Sequence, residues 1–115
     1  MNRRVLVIDA DPRVRAAVRE LLATTRHLTV AAEASTAAEA LRALRDDAVD
    51  VALVEVALPD PASGLALITA LSQRVPVLAV SMSATHGGAA IAAGAAAFLD
   101  KGGDPDALLS ALTDP

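Results

Sequence analysis

Asp50-Val51-Ala52-Leu53-Val54-Glu55-Val56-Ala57-Leu58-Pro59-Asp60 is a run of strand-forming apolar residues with one carboxylate, Glu55, set near its end. Apolar residues on both faces mark a strand buried inside a parallel sheet rather than one with a wet side. A carboxylate in such a run is paired, hydrated at a sheet edge or chemically employed, because burying a bare charge is costly.

The same grammar repeats on either side. Arg4 to Ile8 is apolar on both faces; Asp11 then supplies a helix cap and Pro12 a first helical residue, followed by Val14, Val18, Leu21 and Leu22 at helical spacing. Leu28 to Ala32 predicts a second strand, and Thr36-Ala37-Ala38-Glu39 a capping box that opens a helix through Leu41 and Leu44. After the third strand, Val51 to Val56, the sequence predicts a loop over Leu58 to Gly64 and a helix over Leu65 to Leu71. Val75 to Val80 is the fourth strand, and His86 to Ala93 a weak fourth helix, since Gly87 and Gly88 each cost about 1 kcal/mol relative to alanine. Ala96 to Leu99 and a cap-plus-proline helix from Asp104-Pro105 complete five strand–helix units. Strict alternation implies a single doubly wound (βα)5 α/β domain over residues 1–115, with helices on both faces of a parallel sheet.

Composition narrows the function classes. The chain has 115 residues, one domain's worth, and no cysteine, which excludes disulfides and thiolate chemistry and fits a cytoplasmic setting. Its longest run without a polar residue, Gly87 to Leu99, is too short for the roughly 20 residues of a membrane span. The four-residue apolar run after Arg3-Arg4 is also too short for a signal peptide. A net charge of -4 and a single aromatic residue, Phe98, argue against direct nucleic-acid binding, which needs clustered cations and stacking surfaces. Lys101 is the only lysine, the other basic residues being arginine.

In a doubly wound sheet the working crevice lies beyond the carboxyl ends of the strands. Asp9 and Asp11 follow the first strand, Glu55 ends the third, Ser81 the fourth, and Asp100-Lys101 the fifth. Carboxylates, a hydroxyl and an ammonium on one edge suit phosphoryl chemistry. Read singly, Asp11 is a helix cap, Phe98 a core residue, and His27 and His86 solvated loop or helix-start residues.

Over nearly its whole length the chain resembles the receiver domain of two-component response regulators, through VLVIDADPRVR at the start, DVALVEVALP in the middle, VPVLAVS in strand four and AGAAAFLDK at Ala93 to Lys101. The resemblance implies a flavodoxin-like sheet of order 2-1-3-4-5. It also implies roles: Asp9 as the first of an acidic pair serving magnesium, Glu55 at the phosphoacceptor position, Ser81 as the hydroxyl that bonds the phosphoryl oxygen, Lys101 as its cationic partner and Phe98 as the aromatic switch.

Departures from the family pattern redirect that expectation. Ala10 stands where a metal-binding Asp is usual, so no cofactor is expected and any magnesium site, left to Asp9 with Glu55, is weakened. Glu55 is one methylene longer than Asp and lies poorly for in-line attack. Met82, where a small residue is usual, is expected to crowd the phosphoryl site, and the loop Pro59 to Gly64 is one residue longer than usual. The expectation is an atypical, phosphorylation-independent pseudo-receiver: a non-enzymatic signalling module for a protein partner, sensor kinase or output protein, with a homodimer surface over residues 86–112. In it Glu55 pairs with Lys101. The alternatives are a conventional phosphorylated receiver and, from another class, a haloacid-dehalogenase-like magnesium-dependent phosphatase using Asp9 and Asp11.

Overall fold

The chain alternates β1 (Arg3–Ile8), α1 (Pro12–Leu22), β2 (Leu28–Ala34), α2 (Ala37–Asp46), β3 (Val51–Glu55), α3 (Pro61–Ser72), β4 (Val77–Ser81), α4 (Gly87–Ala93), β5 (Ala97–Asp100) and α5 (Pro105–Thr113) in a computed structural model that describes residues 2–114. The five strands are parallel, as the alternation predicts, and run in the order β2-β1-β3-β4-β5, the flavodoxin-like arrangement that the receiver resemblance implies. Met1 and Pro115 lie outside the described residues.

Side-chain alternation along the central strands splits the core in two. Leu6, Ile8, Ala52, Val54 and Ala79 point to the face covered by α2, α3 and α4, whereas Val5, Val7, Val51, Leu53 and Leu78 point to the face covered by α1 and α5. Each buried Val, Leu or Ile among them contributes about 1.5–3 kcal/mol relative to leaving it in water. Three helices thus cover one face, and two cover the other.

Capping explains where the helices begin, and it corrects one expectation. Asp11, Asp60 and Asp104 each accept a backbone N–H within the first turn of α1, α3 and α5, and each is followed by proline. The expected loop over Leu58 to Gly64 therefore stops at Asp60, and α3 starts at Pro61. Ser63 and Gly64, weak helix formers, mask that start in the sequence. The capping box at α2 is shifted as well: Thr36 accepts from Glu39 N–H at 3.2 Å, but Glu39 reaches back to Ser35 N–H and Oγ, each at 2.7 Å.

Two further differences have local causes. β2 runs on past Ala32 to Ala34, because Asp9 N–H donates to the Ala34 carbonyl and Glu33 is held by Arg15 and Arg19. α4 is short and uncapped, preceded by one 3-10 turn at Ala84–His86 and ended by Gly94 at φ 121°, a conformation that favours glycine.

Gly64 fixes how α3 meets the sheet. A Cβ there would lie 1.6 Å from the Val56 carbonyl oxygen, so only glycine lets the helix start press against the end of β3, next to Glu55.

Candidate functional site

The parallel ladder brings the strand ends together at one edge of the sheet. Glu55 is level with Val80, and Ser81 with Asp100. Lys101 N–H continues the ladder by donating to the Ser81 carbonyl at 2.9 Å, which directs the lysine back over the centre of the sheet. Asp9, Glu55 and Ser81 are the buried polar side chains of the chain's described residues, with 5%, 7% and 2% of their surface exposed.

Lys101 Nζ lies 2.7 Å from Asp9 Oδ2 and 3.3 Å from Glu55 Oε2. The lysine expected to pair with Glu55 does touch it, but its closer partner is Asp9. Burial alone would push the Lys101 ammonium down; the hydrogen bond to Asp9 and the charges of Asp9 and Glu55 outweigh it and hold the group above its ordinary value. Asp9 is further fixed by Asp11 N–H, which donates to Oδ1 at 2.9 Å.

Glu55 is less well served. Its Oε1 accepts a long 3.4 Å bond from Ala57 N–H, and the Lys101 contact to Oε2 is an ion-pair approach without hydrogen-bond geometry, leaving Oε2 buried with no hydrogen-bond partner.

A divalent cation does not suit these residues. The donors are two carboxylates with Ala10 contributing none, the ammonium already lies against both, and no group of three or more His, Cys, Asp or Glu among the described residues has metal-holding geometry.

The other expected residues fall differently. Ser81 Oγ accepts from Ser83 N–H at 3.1 Å and lies 2.8 Å from His86 Nδ1, so His86 is half-buried and engaged, not solvated as its sequence position suggests. Phe98 packs on the α2–α4 face, and a Cβ on Gly87 would meet its ring at 3.1 Å. Met82 does not fill the site; it is 76% exposed. Asp11 stays out of it too, its carboxylate capping α1 and pairing with Arg13 Nη2 at 3.1 Å; the hydrogen bonds from the Arg13 side chain and backbone hold its pKa below the usual carboxylate range.

Asp11, the second acid of the phosphatase alternative, is thus engaged in an exposed cap and ion pair, and nothing in this geometry supports that alternative. Sequence reading also missed Arg15, whose Nη1 donates to the Asp9 carbonyl at 2.6 Å while its Nε bonds Glu33 at 3.2 Å. An arginine one helical turn after a strand-end acid is the signal that would have found it.

Comparison with known proteins gives the family of the fold. The family model for the response regulator receiver domain matches residues 5–113. The response regulator UvrY of Escherichia coli strain K12 is 30% identical over 113 residues, covering 94% of this chain and 51% of that protein. The transcriptional regulatory protein UhpA of Salmonella typhimurium is 36% identical over 110 residues, covering 94% and 56%. The chain thus spans about half the length of these curated relatives. Among solved structures, a LuxR-family two-component response regulator from Aurantimonas superposes with a TM-score of 0.88 at 28% identity, covering 97% of this chain and 83% of that one. No described helix is long and apolar enough to cross a membrane.

Proposed function

Because this chain belongs to the response regulator receiver family, we propose that it is a signalling module acting through protein partners, with its phosphoacceptor position held by a Glu55 that is neutralised from within. The observation that carries this reading is the Lys101 ammonium seated between Asp9 and Glu55 at 2.7 and 3.3 Å. In this reading the lysine is already spent on resident carboxylates, so an incoming phosphoryl group meets two negative charges and no free cation.

Glu55 supports the same conclusion from its own geometry. It is buried and displaced by a methylene, and with Ala10 contributing no carboxylate its surroundings are a poor site for the divalent ion that would screen attack on phosphorus. Ser81, tied to His86 and Ser83, keeps its hydroxyl on the α4 side, and Phe98 stays packed. The module therefore presents one conformation to a sensor kinase or an output protein, independently of phosphorylation. A second copy is a further partner, through the poorly charged region of residues 86–112, where Ile91 is half exposed. Magnesium binding is weak.

Incubation with magnesium and acetyl phosphate followed by intact-mass measurement tests the reading. The expected spectrum is that of the unmodified chain; a stoichiometric phosphoryl adduct mapped to Glu55 would restore the conventional receiver.

A further inference from the structure

A second concave feature lies beside the Glu55 edge. A groove of about 860 Å³ runs between α1 and α5 along the sheet, walled by Val14, Val18 and Leu108 and floored by Leu53, Val80 and Leu99. Its origin lies in the sequence. Only two helices span this face, the facing positions include Ala17, Gly103 and Ala107, and the chain's single aromatic residue, Phe98, packs on the other face. As a result Val80 and Leu99, on a face that ought to be sealed, remain only partly buried.

The size falls within the roughly 300–1,000 Å³ of small-molecule sites, and the lining follows their pattern of an apolar body with a few polar groups at one end. Those polar groups sit at the mouth. Lys101 is taken up by Asp9 and Glu55, and Arg13 by Asp11 at 3.1 Å. Asp100 and Asp104 line the same mouth and have no basic partner among the described residues; Asp104 Oδ1 caps α5 by accepting from Asp106 N–H at 2.9 Å. Met82, exposed at the rim, offers a flexible and polarisable cover suited to an apolar guest.

We propose that the α1–α5 groove is a binding site for a small amphiphile with an apolar body and a protonated amine, its chain on Val80 and Leu99 and its charge between Asp100 and Asp104. An anionic head group would face two uncompensated carboxylates at the same place. Lys101 lines the groove and also holds Asp9, so a bound guest abuts the pair that fixes the strand-end site.

Decylammonium, decanoate and decanol, each below its micelle concentration, can be titrated into uniformly labelled protein while methyl and amide spectra are followed. The expected result is saturable shifts of the Val14, Val18, Val80, Leu99 and Leu108 methyls with decylammonium and at least tenfold weaker binding of decanoate. Asp104→Asn should narrow that preference, and Ala107→Trp, which fills the groove, should abolish the shifts.

Several results would overturn the proposal: no saturable shift at these methyls, decanoate binding as tightly as decylammonium, or undiminished binding in a folded Ala107→Trp variant. So would broadening of the same methyls with protein concentration alone, which would assign the groove to a second copy. Tighter capture of a basic amphipathic helical peptide than of decylammonium would assign it to a protein partner instead. The wild-type titrations decide the matter even if Ala107→Trp fails to fold.

Discussion

Replacing Lys101 by methionine keeps the aliphatic stem and removes only the charge, leaving Asp9 and Glu55 at 5% and 7% exposure with no cation between them. At an effective dielectric of about 20, a contact near 3 Å amounts to roughly 5–6 kcal/mol of attraction before desolvation is counted. Restoring water to the ammonium offsets much of this, and breaking a buried pair typically destabilises by about 3–5 kcal/mol. Because 19% of the Lys101 side chain is open to water, the lower end applies, and the expected loss at neutral pH is about 3 kcal/mol. With a urea slope of about 1.5 kcal/mol/M, the unfolding midpoint drops by about 2 M.

Two controls separate electrostatics from lost packing. Adding Glu55→Gln to Lys101→Met removes one of the stranded charges and should recover about 1–2 kcal/mol. The pH profile gives the second. The Lys101 ammonium is held above its ordinary value of 10.5, so its stabilisation is fully present below that value and is lost as pH rises through the higher folded value. Wild type should therefore lose stability in that alkaline window, and Lys101→Met should lack that step. A midpoint change under about 0.3 M, or a double variant no more stable than the single one, would refute the reasoning.

Gly64→Ala forces a methyl to within 1.6 Å of the Val56 carbonyl and should destabilise by about 3 kcal/mol or more, read as a lowered thermal midpoint; an unchanged midpoint would mean that α3 is not pressed on β3. His86→Ala removes the 2.8 Å contact to Ser81 and, at about 1 kcal/mol for one hydrogen bond, should speed amide exchange over residues 84–93 about fivefold while leaving β1 and β3 protected. Equal acceleration everywhere would show that His86 supports the fold at large and not the start of α4.

The fold was legible because its signals are local and repeated. Runs buried on both faces, such as Val5 to Ile8 and Val51 to Val54, admit only a parallel sheet, and the cap-plus-proline starts at Asp11 and Asp104 place their helices unaided. The identical device at Asp60-Pro61 went unread because Ser63 and Gly64 speak against a helix on propensity. What overrides them is the fit of Gly64 against Val56, a contact between elements that the sequence does not show.

The site divides along the same line. Parallel alternation puts the carboxyl ends of the strands, and with them Asp9, Glu55, Ser81 and Lys101, at one edge, and the receiver resemblance supplies the strand order that makes them neighbours. Which of them touch, and how closely, was settled only by the tertiary structure: Lys101 favouring Asp9 over Glu55, His86 turning in to Ser81, Arg15 reaching the Asp9 carbonyl, and α1 standing off from α5. Each of these depends on side-chain directions and on the separation of elements distant in the chain. Those are fixed to within an ångström by packing, a length to which residue spacing along a sequence is blind.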